Sequence, residues 1–240
     1  VERKLGTLCV TAALAACALT TGAQAATVAS ITPAFAPARL GASTAFSLAI
    51  QYSNQGGGVP EPVTHAVVHL PAGLGIEVRA AGICPKSKLE KQSGQGCPAS
   101  ARVGRGSALM GAHLGAIDLH ENAALSAWRG PNQGGHPTLE ILGEGLSPLE
   151  ERVVVTGVLE ADHAPYGQRL TMSVPPIPTL PTEPNASVLH FSLTVGAGHG
   201  RLGRLIHVPS KCPAGGFRFG ADFAYADSTS SSTTAVVHCP

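Results

Sequence analysis

Histidines and acids in this 240-residue chain recur at spacings that chemistry uses, and each must be weighed against the element that would carry it. His65 and His69 form H-x₃-H, which on a helix sets two imidazoles on one face for zinc. On a strand the same pair lies about 13 Å apart, at roughly 3.3 Å per residue, too far to share one ion. Asp118 and His120 stand two residues apart on one strand face, with Glu121 pointing the other way. A salt bridge or hydrogen bond on that face is the reading preferred to a metal site. His113, His136, His163, His190 and His238 show no metal-like spacing and are placed at the surface.

Nucleophilic, glycosidic and dinucleotide chemistry is met only by partial motifs. Gly104-Arg105-Gly106-Ser107-Ala108 misses G-x-S-x-G by one position, and His120-Glu121 lacks the second histidine of H-E-x-x-H. Glu160-Ala161-Asp162 begins like the E-x-D-x-x-E strand of β-jelly-roll glycanases, but Pro165 stands where that pattern requires an acid. Glu140, Glu144, Glu150 and Glu151 can be paired on paper. No spacing sets the carboxyl separation that selects a glycosidase mechanism, so they are read as solvent-facing. Gly198-His199-Gly200-Arg201-Leu202-Gly203 matches G-x-G-x-x-G, whose turn must open a helix facing the pyrophosphate. Pro209 follows soon after and residues 204–208 alternate like a strand, so a glycine-rich hairpin loop is expected. No catalytic residue, metal or cofactor is assigned. Among the aromatics, Tyr52 and Tyr225 fall on apolar strand faces, which leaves Trp128 and Tyr166 as the candidate stacking platform for a ligand. A packing role is the preferred reading for Trp128.

Beyond the first 25 residues lie four cysteines, Cys84, Cys97, Cys212 and Cys239, each followed by proline. An even count in an exported chain reads as disulfides. Three pairings are open, and proximity favours Cys84 with Cys97 and Cys212 with Cys239. Zinc ribbons need C-x₂₋₄-C knuckles, which are missing here.

These residues must be positioned by strands. The 29 Gly and 19 Pro are too many for a helix bundle, since Gly costs roughly 1 and Pro about 3 kcal/mol inside a helix. A mean hydropathy of +0.18 with little net charge argues against disorder. Phe46, Leu48, Ile50 and Tyr52 share one strand face, and Phe217, Phe219, Ala221, Phe223 and Tyr225 share another. Similar runs occur at residues 64–70, 103–109, 139–142, 153–159, 170–174, 189–195 and 235–237. The best helix candidate is short, residues 86–92. The pattern predicts an all-β fold, an antiparallel β-sandwich of Ig-like or jelly-roll-like type. Residues 26–42 are expected as an extended N-terminal lead-in and 43–240 as the sandwich domain, with a sub-boundary in the proline-rich stretch 173–184. Residues 228–234 are expected as a polar hairpin loop.

Residues 1–25 read as a signal peptide. Arg3 and Lys4 precede a charge-free run and the small-x-small site Ala23-Gln24-Ala25. The run of about 15 residues falls short of the roughly 20 that a membrane span needs. Leu14-Ala15-Ala16-Cys17 reads as a lipobox, so lipid anchoring at Cys17 is the alternative to secretion. Removing the leader takes Glu2, Arg3 and Lys4 and leaves a formally neutral chain, which argues against nucleic acid and anionic membranes as partners.

Leu70-Pro71-Ala72-Gly73-Leu74, Cys84-Pro85, Cys97-Pro98, Val103-Gly104-Arg105-Gly106, Cys212-Pro213-Ala214-Gly215-Gly216-Phe217 and Phe223-Ala224-Tyr225-Ala226-Asp227 together resemble uncharacterised secreted proteins of high-GC Gram-positive bacteria. The resemblance covers residues 60–240. It implies an exported, β-rich, disulfide-bonded protein and carries no activity or catalytic residues. The expectation is an exported, non-catalytic structural or interaction module of the cell envelope or extracellular space, whose partners would be envelope components or polysaccharide. A glycan- or small-ligand-binding module is the alternative, and a secreted hydrolase the second.

Overall fold

The computed structural model describes residues 26–115, 117–146, 151–196 and 202–239. The signal-peptide reading of residues 1–25, Cys17 and most of the glycine-rich motif at 198–203 lie outside them. In chain order the elements are β1 (Thr27–Ala36), β2 (Ser43–Asn54), β3 (Val63–Pro71), β4 (Gly75–Ile76), α1 (Lys86–Gln92), β5 (Arg102–Leu114), β6 (Ile117–Gln133) and β7 (His136–Gly145). They continue with β8 (Arg152–Ala161), β9 (Tyr166–Ser173), β10 (Ser187–Val195), β11 (Ile206–His207), β12 (Phe217–Tyr225) and β13 (Ser230–Val237). The protein is all-β, and its strands belong to one large antiparallel sheet.

The long strands pair in the order β1-β2-β10-β5-β6-β7-β8-β9-β3-β12-β13. The two ends of this row meet: Cα atoms of β1 and β13 approach within 8 Å, closer than the about 10 Å between stacked sheets. The sheet therefore curls on itself as one continuous ladder, where the sequence pattern had suggested two facing sheets. Inward positions are apolar: Ile31 and Phe35 on β1, Leu48 and Ile50 on β2, Phe219 and Phe223 on β12. Outward neighbours such as Gln51, Arg169 and Arg218 are polar. This is the reverse of a lipid-embedded barrel, which turns its apolar band outward. Among the described residues no helix is long and apolar enough to cross a membrane.

One end of the roll is capped by the short strands β4 and β11, which pair with each other while β11 also pairs with β2; Leu74 and Leu205 are buried beside them. The opposite end is crossed by residues 174–186, the proline-rich connection from β9 to β10. That connection is held by hydrogen bonds from the Val174 N–H to the Thr64 carbonyl and from the Ala186 N–H to the Ile177 carbonyl. Strands before and after it interleave, since β10 pairs with β2 and β5, and β12 with β3.

Three stretches differ from the sequence expectation. Residues read as a lead-in form β1, whose Ile31 and Phe35 face Ile50 and Phe46 across the ladder. Part of the expected polar loop at 228–234 belongs to β13, where serines and threonines alternate along a strand paired with β12. The 17-residue β6, rich in Ala and polar residues, shows too little apolar contrast to stand out in the sequence.

A second small core lies outside the roll. The structure joins Cys84 to Cys97 and Cys212 to Cys239, the neighbouring pairs. The first bond closes the loop that carries α1, whose one buried residue, Leu89, packs with Cys84, Trp128, Leu142 and Val154 against the outer face of β6, β7 and β8. Trp128 is 8% exposed, and its indole N–H donates to Ser126 Oγ at 2.8 Å. Gly94 lies over it at φ +77°, where a Cβ would stand 2.7 Å from the ring. Two stability losses should follow, measurable from urea unfolding midpoints. Trp128→Ala should cost about 3–5 kcal/mol, the usual range for emptying a buried aromatic site. Joint replacement of Cys84 and Cys97 by alanine should cost about 3 kcal/mol, from the entropy regained by the opened loop. Losses below about 1 kcal/mol would contradict this packing role.

Candidate functional site

The interior of the roll is filled unevenly, because the inward side chains differ in size from strand to strand. On the side formed by β1, β2 and β12, Phe35, Phe46, Phe217 and Phe219 pack ring against ring with centroids 5.3–5.9 Å apart. Across the remaining strands the inward positions include Ala66, Ala108, Ala123 and Gly143, which are too short to meet in the middle. The result is a cavity of about 250 Å³. Close-packed interiors contain few voids larger than a water molecule, and a space of this size sets this interior apart from them.

The chamber runs along the roll. Leu70, Leu159, Ile76 and Ile206 line it toward the capped end, and Met110, Val188, Val174, Ile177 and Pro178 line it toward the proline-rich crossing. Among the described residues its lining is almost wholly apolar, with two charged residues, Glu121 and Glu151, both at the proline-rich end. Glu121 faces inward from β6, opposite Met110 of β5, and is 7% exposed. Its Oε1 has no hydrogen-bond partner among the described residues. Two other buried atoms share that condition, Arg129 Nε and Gln168 Oε1. Neither belongs to a chamber-lining residue.

The outer face carries a different polar cluster. His69 on β3 donates from Nδ1–H to Asp162 Oδ2 at 2.6 Å and from Nε2–H to Asp222 Oδ2 at 2.8 Å. Tyr166 stacks on the imidazole at 4.9 Å between centroids. Gly220 makes room for that ring, since a Cβ there would stand 2.6 Å from the phenol oxygen. Burial by itself would lower the His69 pKa, but the hydrogen bonds to Asp162 and Asp222 outweigh it, and the net shift is upward. Burial would raise both aspartates. For Asp162 the His69 bond and the His163 N–H outweigh it, and for Asp222 the Ser232 hydroxyl and His69 do, so both carboxyls fall below their ordinary value. An imidazolium with both N–H groups donated can neither take a proton nor ligate a metal. The cluster is an ionic clamp joining β3, β12 and the β8–β9 connection.

The sequence-named residues fall in separate places. Trp128 belongs to the small outer core and Tyr166 to the clamp. Trp128 pairs through Glu140 and Thr156 to Ser173, seven residues along β9 from Tyr166. The two rings are therefore three strands apart across the sheet as well as roughly 20 Å apart along it, and do not form one platform. Cys84, Cys97, Cys212 and Cys239 are all in disulfides. Asp118 bonds His113 across the β5–β6 hairpin at 2.7 Å instead of its strand neighbour His120. Glu160 meets Arg169 at 3.3 Å and Glu144 meets Arg152 at 3.4 Å. Glu140, expected at the surface, is 1% exposed; burial raises its pKa, against the lowering effect of the hydrogen bond donated by Thr156 Oγ1 at 2.6 Å. Glu150 lies outside the described residues. Among them, no group of three or more histidines, cysteines and acids is arranged to hold a metal ion. Sequence reasoning had put Glu121 on the face opposite Asp118 and His120; that this face lines a chamber depends on strands far away in the chain.

A scan against protein-family models finds no match, and searches of the curated proteins and of the solved structures find none either.

The clamp makes stability depend on pH in a definite sense. The His69 contribution is complete below the unfolded-state value of about 6.5 and fades as pH rises through the raised folded-state value. The aspartate contributions are complete above about 3.9 and fade as pH falls through the lowered values. His69→Gln should therefore cost about 1–2 kcal/mol near pH 5.5, with Asp222 half exposed and discounted accordingly. The cost should shrink toward alkaline pH. Thermal unfolding of both proteins from pH 4 to 9 measures this, and a penalty that grows with pH would refute the clamp.

Proposed function

We propose that this chain is an exported, non-catalytic binding protein that holds an apolar small molecule inside its rolled sheet. The single observation that carries the reading is the chamber of about 250 Å³ with its apolar lining. An apolar cavity of about 150 Å³ is already large enough to take up benzene, and ligand sites are typically concave and mostly apolar with few polar groups. A sugar placed there would lose its hydrogen bonds to water and find few replacements, so the small-ligand form of the binding reading is favoured over the glycan form. The purely structural reading leaves the chamber without a role. Hydrolysis is disfavoured because the described lining, apart from Glu121 and Glu151, is almost wholly apolar and offers few groups to hold a polar substrate.

Export completes the proposal. It rests on the signal-like residues 1–25, on the two disulfides and on the resemblance to secreted proteins of high-GC Gram-positive bacteria, with anchoring through Cys17 as the alternative to release. The sandwich expected from the sequence enters here too, with opposite walls of the roll facing each other across the chamber as sandwich layers do. Ile117, Leu146 and Leu180 are exposed apolar residues at the same end as the proline-rich crossing, which makes that end the natural side for an apolar ligand to approach.

Diphenylhexatriene, a hydrocarbon without hydrogen-bonding groups, tests the reading. Titrated into the folded protein it should show saturable fluorescence enhancement at one site. Ala108→Phe, which fills the chamber, should abolish the signal while leaving the unfolding temperature unchanged or raised; should that variant fail to fold, Ala66→Leu serves in its place. No saturable uptake, or uptake unaffected by a folded filling variant, would overturn the proposal.

A further inference from the structure

We infer that the ligand is a cationic amphiphile and that Glu121 binds its head group. The inference rests on the chamber reading above and goes beyond it to the chemistry of the occupant. Glu121 is buried on the inner face of β6, and its Oε1 lacks a hydrogen-bond partner among the described residues. A buried polar atom left unpaired carries its full desolvation cost, and a carboxylate can be satisfied only by a donor. Among the described residues no lysine, arginine or histidine lines the chamber, while a second acid, the exposed Glu151, lines it at the same end. An anionic head group would therefore meet like charge. A neutral hydroxyl would satisfy one oxygen, and an ammonium would supply both hydrogen bonds and the opposite charge, the stronger pairing in a desolvated site.

The position of Glu121 determines how such a molecule would lie. With its head at Glu121, beside Met110 and Ala186, a hydrocarbon chain has the rest of the chamber ahead of it, between Leu125, Val155 and Leu170, toward Leu159 near the capped end. One polar group at one end and aliphatic walls beyond it match a long-chain amine better than a molecule with polar groups along its length.

The experiment displaces diphenylhexatriene from the intact protein at neutral pH with dodecylamine, dodecanol and dodecanoate, each below its aggregation concentration. Dodecylamine should displace the dye at about tenfold lower concentration than dodecanoate, or less, with dodecanol between them. Glu121→Gln should bring dodecylamine to the level of dodecanol, each displacement being read against that variant's own dye affinity. Glu121→Leu should do the same and unfold at a higher temperature than the wild type, because it removes an unpaired buried acid; this keeps the test valid if one variant folds poorly. Equal or tighter binding of dodecanoate by the wild type would overturn the assignment with the chamber intact, as would an amine preference that survives both substitutions. Failure of the dye itself to bind would overturn the chamber reading, and the assignment with it.

Discussion

A sheet with one apolar face must remove that face from water, and it has two ways to do so: stack on a second sheet, or curl until its own ends meet. The strand order here permits the second. From β2 round to β12 each long strand has a hydrogen-bonded neighbour on both sides, and the row ends at β1 and β13, which come together. The rest depends on this closure. It converts alternating side chains on distant strands into a shared interior, and it brings two strand edges, otherwise exposed rows of unpaired backbone groups, alongside one another.

Closure over many strands leaves more interior than small side chains can fill. Phenylalanines from β1, β2 and β12 fill one side, and each buried aromatic contributes about 1.5–3 kcal/mol through lost contact with water. Alanines and a glycine on the other walls leave the chamber open. The molecule thus has a packed side that supplies stability and an open side lined by the same kinds of aliphatic atom. A protein that needed only to be rigid would gain from larger residues at Ala66, Ala108 and Ala123, since filling such space is generally stabilising.

Polar groups are distributed in keeping with this division. On the outer surface several charged groups are held in partnerships: His69 between two aspartates, the buried Glu140 with Thr156, and the exposed Asp118 with His113. Those groups hold strands and loops in register and have little capacity left for chemistry. Glu121 departs from the pattern because it is the buried acid that faces the chamber with an oxygen that finds no partner among the described residues.

Much of the all-β character was legible in the sequence because a strand's side-chain period is local. Phe46 through Tyr52 and Phe217 through Tyr225 announce their inward faces within nine residues, and α1 is bounded by Pro85 and the cysteine loop that contains it. The reading weakened where that local contrast fails. The runs at 139–142 and 153–159 do mark β7 and β8, but Ile141-Leu142 and Val153-Val154-Val155 are apolar on both faces because α1 and Trp128 cover their outer side, so alternation does not tell which face turns inward. β6 and β13 are rich in small or polar residues and left little signal. What the sequence by itself determined is which residues alternate, which cysteines are close enough to pair, and that Glu121 faces away from Asp118. The tertiary structure alone decided that the strands join into one curled sheet, that Trp128 and Tyr166 lie apart, that His69 meets two distant aspartates, and that Glu121 faces an apolar chamber. The reason is physical: periodicity acts between residues two apart, whereas a shared interior exists only once strands as far separated as β1 and β13 have been brought side by side.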